Sequence, residues 1–130
     1  MAGAARAGAL IYVADLARQA QFYQALLGMQ VLHQDAQYAV LDNGDTQLVL
    51  HRMPAPYVEQ IVISVPPTLR EQCAIKLFFS VPSLARAEVK VADLGGGMLP
   101  EQWSGAGFVV RNAFDPEGNL FQLRQWEPGN

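Results

Sequence analysis

The hydrophobic positions of the chain fall into two half-length patterns that repeat one another. "YVADLARQAQFYQALLG", from Tyr12, and "SVPSLARAEVKVADLGG", from Ser80, each pass from a valine through a candidate helix cap, Asp15 or Ser83, into Leu-Ala-Arg, an amphipathic stretch and a glycine stop. Asp and Ser cap helices because their side-chain oxygens accept from first-turn amides that have no partner within the helix. The pattern predicts helices over 16–27 and 84–94, ended by Gly28 and by Gly95, Gly96 and Gly97. Ser83 follows Asp15 by 68 residues (83 − 15), about half of the 130-residue chain. That interval is too long for a solenoid repeat and suits a duplicated unit of strand, helix and hairpins.

Around the helices the apolar period shortens to two. Ala9, Ile11 and Val13 share one side of a first strand, with Gly8, Leu10 and Tyr12 on the other. Leu48 and Leu50 oppose Gln47, Val49 and His51 in the same way, and Phe121 and Leu123 oppose Leu120, Gln122, Arg124 and Trp126. "AIKLFFSV", from Ala74, predicts a strand with Ile75, Leu77, Phe79 and Val81 toward a helix and Lys76, Phe78 and Ser80 away from it. Asn43-Gly44 and Asp115-Pro116-Glu117-Gly118 mark hairpin turns. Each half thus reads strand, helix, three strands. Between the halves Pro54, Pro56, Pro66 and Pro67 punctuate one strand-like stretch over 59–65. The boundaries are module one at about 1–57, a linker at about 58–72 and module two at about 73–130, within a single domain. The expected class is α+β: two βαβββ modules whose sheets curl into one mixed sheet around a cleft, with helices on the outer face. A concave wall of apolar and aromatic groups with a few polar ones is the general form of a small-molecule site.

Composition narrows the function. At 51% hydrophobic and 16% charged residues the chain is expected to fold, and its length suffices for one core. A net charge of -3 with no run of Lys or Arg supplies no field for a phosphate backbone, so no nucleic-acid partner is expected. No apolar run approaches the roughly 20 residues that span a bilayer, and Asp15 interrupts the one N-terminal stretch that a signal peptide would need. The expectation is a cytoplasmic protein without a membrane partner. Cys73 is the one cysteine, which suits a reducing compartment and reads as an inert thiol. The three glycines at 95–97 follow a helix and do not open one, so they read as a helix end and not as a phosphate cradle. No serine or cysteine nucleophile with a nearby histidine is legible, and no catalytic residue is assigned.

"YVADLARQAQFYQALLGMQV", "FDPEGNLFQL" and Trp103 ahead of "GFVVRNAFDPEGN" together resemble the vicinal oxygen chelate superfamily, which includes glyoxalase I, extradiol dioxygenases, fosfomycin-resistance enzymes and bleomycin-resistance proteins. The resemblance covers nearly the whole chain except the linker. It implies two βαβββ modules around a cleft, usually in a dimer. It also implies a divalent metal held by His and Glu side chains placed symmetrically in the two modules. Counted from Asp15, Ser83 and the closing turn, those positions fall on Gly8, Lys76 and Gln122, with the remaining one at about Val49. None is a usual ligand: glycine and valine have no donor, lysine must first lose a proton, and glutamine brings no charge.

The resemblance and these departures point to a metal-free protein without cofactors, similar to the bleomycin-resistance branch, that sequesters a small, partly aromatic organic ligand as a homodimer. Lys76, Gln122, Val49, Tyr12, Phe78, Trp103, Phe108 and Arg124 are the candidate ligand-binding residues, with Tyr38 and Trp126 as further aromatic platforms. The alternative is a glyoxalase-like lyase, isomerase or dioxygenase with a displaced metal site. For that, His33 and His51 with Asp35 or Asp42 are the available two-His-one-carboxylate set. A structural or regulatory dimer without any ligand is the third reading.

Overall fold

A computed structural model describes residues 5–60 and 62–127, in two compact units that divide between Ile63 and Ser64. The first unit runs β1 (Gly8–Val13), α1 (Leu16–Leu27), β2 (Gln30–Gln34), β3 (Tyr38–Asp42), β4 (Gln47–Arg52) and a short α2 (Ala55–Val58). The second runs β5 (Phe78–Ser80), α3 (Leu84–Asp93), β6 (Gly97–Gly105), β7 (Phe108–Phe114) and β8 (Leu120–Trp126). Each unit holds one four-stranded mixed sheet, in the order β1-β4-β3-β2 and β5-β8-β7-β6. The first strand of each unit lies parallel to the last, and the other neighbours are antiparallel. A parallel pair needs a crossover, which the helix supplies, while the antiparallel neighbours need only tight turns. The two βαβββ units expected from the repeat are therefore present.

The helices form where the caps predict them. The Asp15 side chain accepts from the Arg18 amide at 3.2 Å, and Gly28 closes α1 in the left-handed region at φ 64°. Leu16, Ala20, Tyr23 and Leu26 form a buried stripe on α1, which packs on β3 and β4, where Ala39, Leu41, Leu48 and Leu50 are buried. Ser83 caps α3 by accepting from Arg86, and Leu84, Ala87 and Val91 turn inward toward β6, β7 and β8. Beneath α3, Arg111 donates to the Leu99 carbonyl and forms a two-bond contact with Glu88 at 3.2 and 3.0 Å. The Arg111 guanidinium holds the Glu88 carboxyl below its ordinary range by hydrogen bonding and by charge. Gln125 Oε1 accepts from the Leu84 amide at 2.8 Å, tying β8 to the start of α3.

The turn between β7 and β8 is built around buried Asp115. Its Oδ1 accepts from the amides of Glu117 and Asn119, and its Oδ2 accepts from Asn119 Nδ2. Gly118 stands at φ 86° and accepts from the Arg70 amide at 2.9 Å. This turn fixes the register that pairs Asn112 with Gln122, Val110 with Arg124 and Phe108 with Trp126.

Two expected strands differ. Within 59–65, Glu59 and Gln60 continue from α2 as a turn and residues 62–65 form no strand; Ile61 lies outside the described residues. The proline at Pro54 opens a helical turn there instead. The strand expected from Ala74 begins only at Phe78, so Ile75 does not face a helix and is 78% exposed, and Lys76 precedes the strand and is exposed. The physical reason lies in the ladder. Gln122 donates to the Leu77 carbonyl, β5 then pairs with β8 from Phe78 to Ser80, and Ala74 to Lys76 have no strand beside them. Alternation of apolar residues reports a pleat only where a neighbour exists to hold it flat. No helix among the described residues is long and apolar enough to cross a membrane.

Candidate functional site

Each sheet has one face under its helix and one face away from it, and the chemistry gathers on the faces away. In the first unit Gly8, Leu10 and Tyr12 stand on that side of β1, beside Gln47, Val49 and His51 of β4 and Tyr38, Val40 and Asp42 of β3. One end carries a shallow pocket of about 410 Å³ lined by Gly8, Leu10, Gln47, Val49 and the neighbouring Arg6. The other end carries a row of rings. Tyr12 meets His51 edge-on at 5.7 Å, His51 lies parallel to Tyr38 at 6.2 Å, and Tyr38 stacks on His33 at 4.6 Å.

His51 Nδ1 lies 2.8 Å from the Arg52 carbonyl, which can only accept, so Nδ1 carries a hydrogen. His33 Nε2 lies 2.7 Å from Asp35 Oδ2. The Asp35 carboxyl is held down at about 2 by the Tyr38 amide first, then by the His33 ring and the Gln37 amide.

In the second unit the corresponding face carries Phe78 and Ser80 of β5, Gln122, Arg124 and Trp126 of β8, Phe108, Val110 and Asn112 of β7, and Trp103 of β6. Arg124 sits among the aromatics: its guanidinium carbon lies 3.7 Å from the centre of the Phe78 ring and 4.7 Å from that of Phe108. Phe108 in turn lies 5.0 Å from Trp126, whose Nε1 donates to Ser80 Oγ at 3.0 Å. The Phe108 ring covers Gly105 on the paired strand, in space that any side chain at 105 would occupy. Arg124 Nη2 makes one long contact, 3.4 Å, to Gln122 Oε1. Arg124 Nε and Asn112 Oδ1 are buried with no hydrogen-bond partner.

Of the sequence-expected residues, Gln122, Phe78, Trp103, Phe108 and Arg124 share this face, and Tyr12 and Val49 share the open face of the first sheet. Lys76 joins neither; it is exposed ahead of β5. Asn112 is not among the sequence-expected residues, although its place is within reach of counting: the turn at Asp115 sets it opposite Gln122. The ring row through His33, Tyr38 and His51 is not legible as a unit, because a β-bulge between Val31 and His33 shifts the phase of β2.

The residues at the family's metal positions do not fit a divalent ion. Gly8 is more than a missing ligand: a Cβ built there would stand 2.6 Å from the Gln47 carbonyl oxygen, so a side chain has no room while β1 and β4 keep their pairing. Val49 has no donor atom, and Gln122 offers a neutral amide. The displaced alternative is not assembled either. His33 meets Asp35, but among the described residues no group of three or more His, Cys, Asp or Glu side chains is placed to hold a metal.

Paired βαβββ units with aromatic and polar residues on the face away from the helix define a class of α+β proteins, and comparison with known sequences and structures identifies the family within it. A sequence-family model for a glyoxalase-like domain matches residues 9–124. The chain therefore belongs to the glyoxalase-like domain family and, with it, to the vicinal oxygen chelate superfamily. No curated protein sequence matches the chain. Among solved structures it is similar to a glyoxalase/bleomycin resistance protein/dioxygenase family enzyme from Burkholderia phytofirmans PsJN, with 17% identity over 95% of this chain and 99% of that one and a TM-score of 0.70. It is similar also to the fosfomycin resistance protein FosX from Listeria monocytogenes, with 15% identity, coverage of 98% and 96%, and a TM-score of 0.67. TioX from Micromonospora sp. ML1 matches with 17% identity, coverage of 95% and 99%, and a TM-score of 0.66. At these identities the likeness speaks for the fold.

Proposed function

We propose that the protein is a metal-free member of the family that binds and sequesters a small, partly aromatic organic compound, in the manner of the bleomycin-resistance branch. The observation that carries this reading is the open face of the second sheet, where Arg124, Gln122 and Asn112 stand among Phe78, Phe108, Trp103 and Trp126. Rings that can stack, together with a few polar groups that fix orientation, are what a small-molecule surface requires. Tyr12 and Val49 on the first sheet are proposed as further ligand contacts, and Lys76 as a flanking cation. The likeness to FosX, a fosfomycin resistance protein, supports a role in resistance to a small toxic compound. The working compartment proposed is the cytoplasm.

Three measurements test this reading. Purified protein is expected to contain no stoichiometric Zn, Ni, Mn or Fe, and its melting temperature is expected to be unchanged by chelator. A tightly bound ion would contribute RT ln(1 + [L]/Kd), about 4 kcal/mol at a thousandfold excess over Kd, and its removal would shift melting by several degrees. Such a shift, or near-stoichiometric metal, overturns the metal-free reading. A thermal-shift screen of aromatic compounds should then return at least one stabilising ligand; a wholly silent screen favours a structural or regulatory protein.

A homodimer is part of the same proposal. Leu32 and Tyr57 in the first unit, and Ile75 and Val89 in the second, are each at least half exposed and lie outside the proposed ligand face, apolar surface that a second copy can cover. Sedimentation equilibrium at micromolar concentration is expected to give twice the 14.2 kDa chain mass. A single species at the chain mass rules the dimer out.

A further inference from the structure

We infer that the open face of the second sheet selects a planar aromatic carboxylate, with Arg124 as the group that holds the anion and Gln122 and Asn112 as its neutral neighbours. The inference rests on the binding reading above and narrows it to one ligand class.

The first ground is an unbalanced charge. A guanidinium is always protonated and carries five N–H donors in a flat fork. In Arg124 those donors are met by a single long contact to Gln122 Oε1, and Nε is buried with none. Among the described residues no carboxylate lies within ion-pair distance of it, although the same sheet gives Arg111, on the helix side, a two-bond partner in Glu88. A half-buried cation without a counter-ion is a costly arrangement unless something completes it.

The second ground is geometry. Phe78 and Phe108 pack against the guanidinium carbon at 3.7 and 4.7 Å, which fixes the side chain without using any of its hydrogen-bond donors. The Nη groups carry only the long contact to Gln122, which leaves them for a two-bond contact with a flat anion. Phe108 continues into Trp126 at 5.0 Å, and Trp103 pairs across from Val110, the residue that pairs with Arg124, so an aromatic ring attached to the anion has surfaces to lie on.

The third ground is the identity of the nearest polar residues. Asn112 and Gln122 are directly paired, and both are amides. Each can donate to a carboxylate oxygen and neither repels it, whereas a Glu at 122 or an Asp at 112 would neutralise Arg124 from within. Asn112 Oδ1, an acceptor, is buried without a partner, so it is the Nδ2 donor of this amide that would serve the anion.

The test is calorimetry on the full chain with benzoate and benzamide, which match in shape and differ in charge. Wild type is expected to bind benzoate at least tenfold more tightly than benzamide, with a preference that shrinks as salt is raised. Arg124→Met keeps an apolar stem between the two rings and should abolish the preference while leaving benzamide binding in place. Arg124→Lys keeps the charge without the fork and should retain only part of the preference. Asn112→Asp supplies an internal carboxylate and should weaken benzoate at least tenfold with little change for benzamide, so the inference stays testable should the Arg124 variants fold poorly. Lys90→Met on the outer helix α3 serves as the charge control and should change neither. Equal binding of both probes by wild type, or a preference that survives Arg124→Met, overturns the carboxylate inference and leaves the binding reading standing. Binding of neither probe overturns the inference as well; the wider aromatic screen then decides the binding reading separately.

Discussion

Substituting alanine for Gly118 is expected to lower the unfolding free energy by about 4 kcal/mol, a large fraction of the stability of a domain this size. Gly118 sits at φ 86°, a conformation that costs an L-residue about 1–2 kcal/mol. A Cβ there would also run into the Thr68 carbonyl oxygen. Both colliding groups belong to or are fixed by backbone, so neither can rotate away. Relief requires the chain around 68–70 to move off the turn, which breaks the bond from the Arg70 amide to the Gly118 carbonyl and the bridge between Arg70 and Asn119. Each backbone bond lost adds about 1 kcal/mol. Gly44→Ala separates strain from collision, because Gly44 has φ 93° and nothing within 4 Å of its would-be Cβ. That variant should lose only the backbone cost, about 1–2 kcal/mol. Urea unfolding followed by the fluorescence of Trp103 and Trp126 measures both. Equal losses in the two variants would show that the Thr68 contact yields easily.

Asp115→Ala is expected to cost about 3 kcal/mol, because the carboxylate is fully buried and accepts from Glu117 N, Asn119 N and Asn119 Nδ2. Alanine leaves those donors facing a void. Asp115→Asn keeps one oxygen for the two amides but turns a donor toward Asn119 Nδ2, so it should fall between wild type and alanine. The same denaturant titration orders the three proteins. An asparagine variant as damaged as the alanine variant would mean that charge, and not the accepting oxygen, holds the turn. Because this turn sets Gln122 opposite Asn112 and Arg124 opposite Val110, damage to it should also erode ligand binding at a distance from the ring cluster.

The parts of the fold that are legible in the chain are those that local chemistry decides. Asp15, Ser83 and Gly28 announce their helices, since a cap satisfies groups within one turn of itself. The turns at Asn43-Gly44 and Asp115 to Gly118 fix hairpin registers, and so the faces of Gln122 and Arg124 follow from counting. The parts that are not legible depend on distant partners. Ile75 and Lys76 alternate as a strand would, yet no strand lies beside them. The seat of Arg124 is likewise invisible, because it turns on Phe78 and Phe108, from two different strands, closing on one guanidinium. His33 reaches Tyr38 through a bulge that no period reveals.

The close approach at Gly8 has a consequence for every substitution at that position. With its Cβ position 2.6 Å from the Gln47 oxygen, Gly8 lets β1 lie nearer to β4 than any other residue would allow. A histidine introduced there meets a closed door: the strands would have to separate before the imidazole could reach the open face. Any larger residue at position 8 has to be matched by a wider spacing between β1 and β4, so no single exchange there is neutral to the sheet.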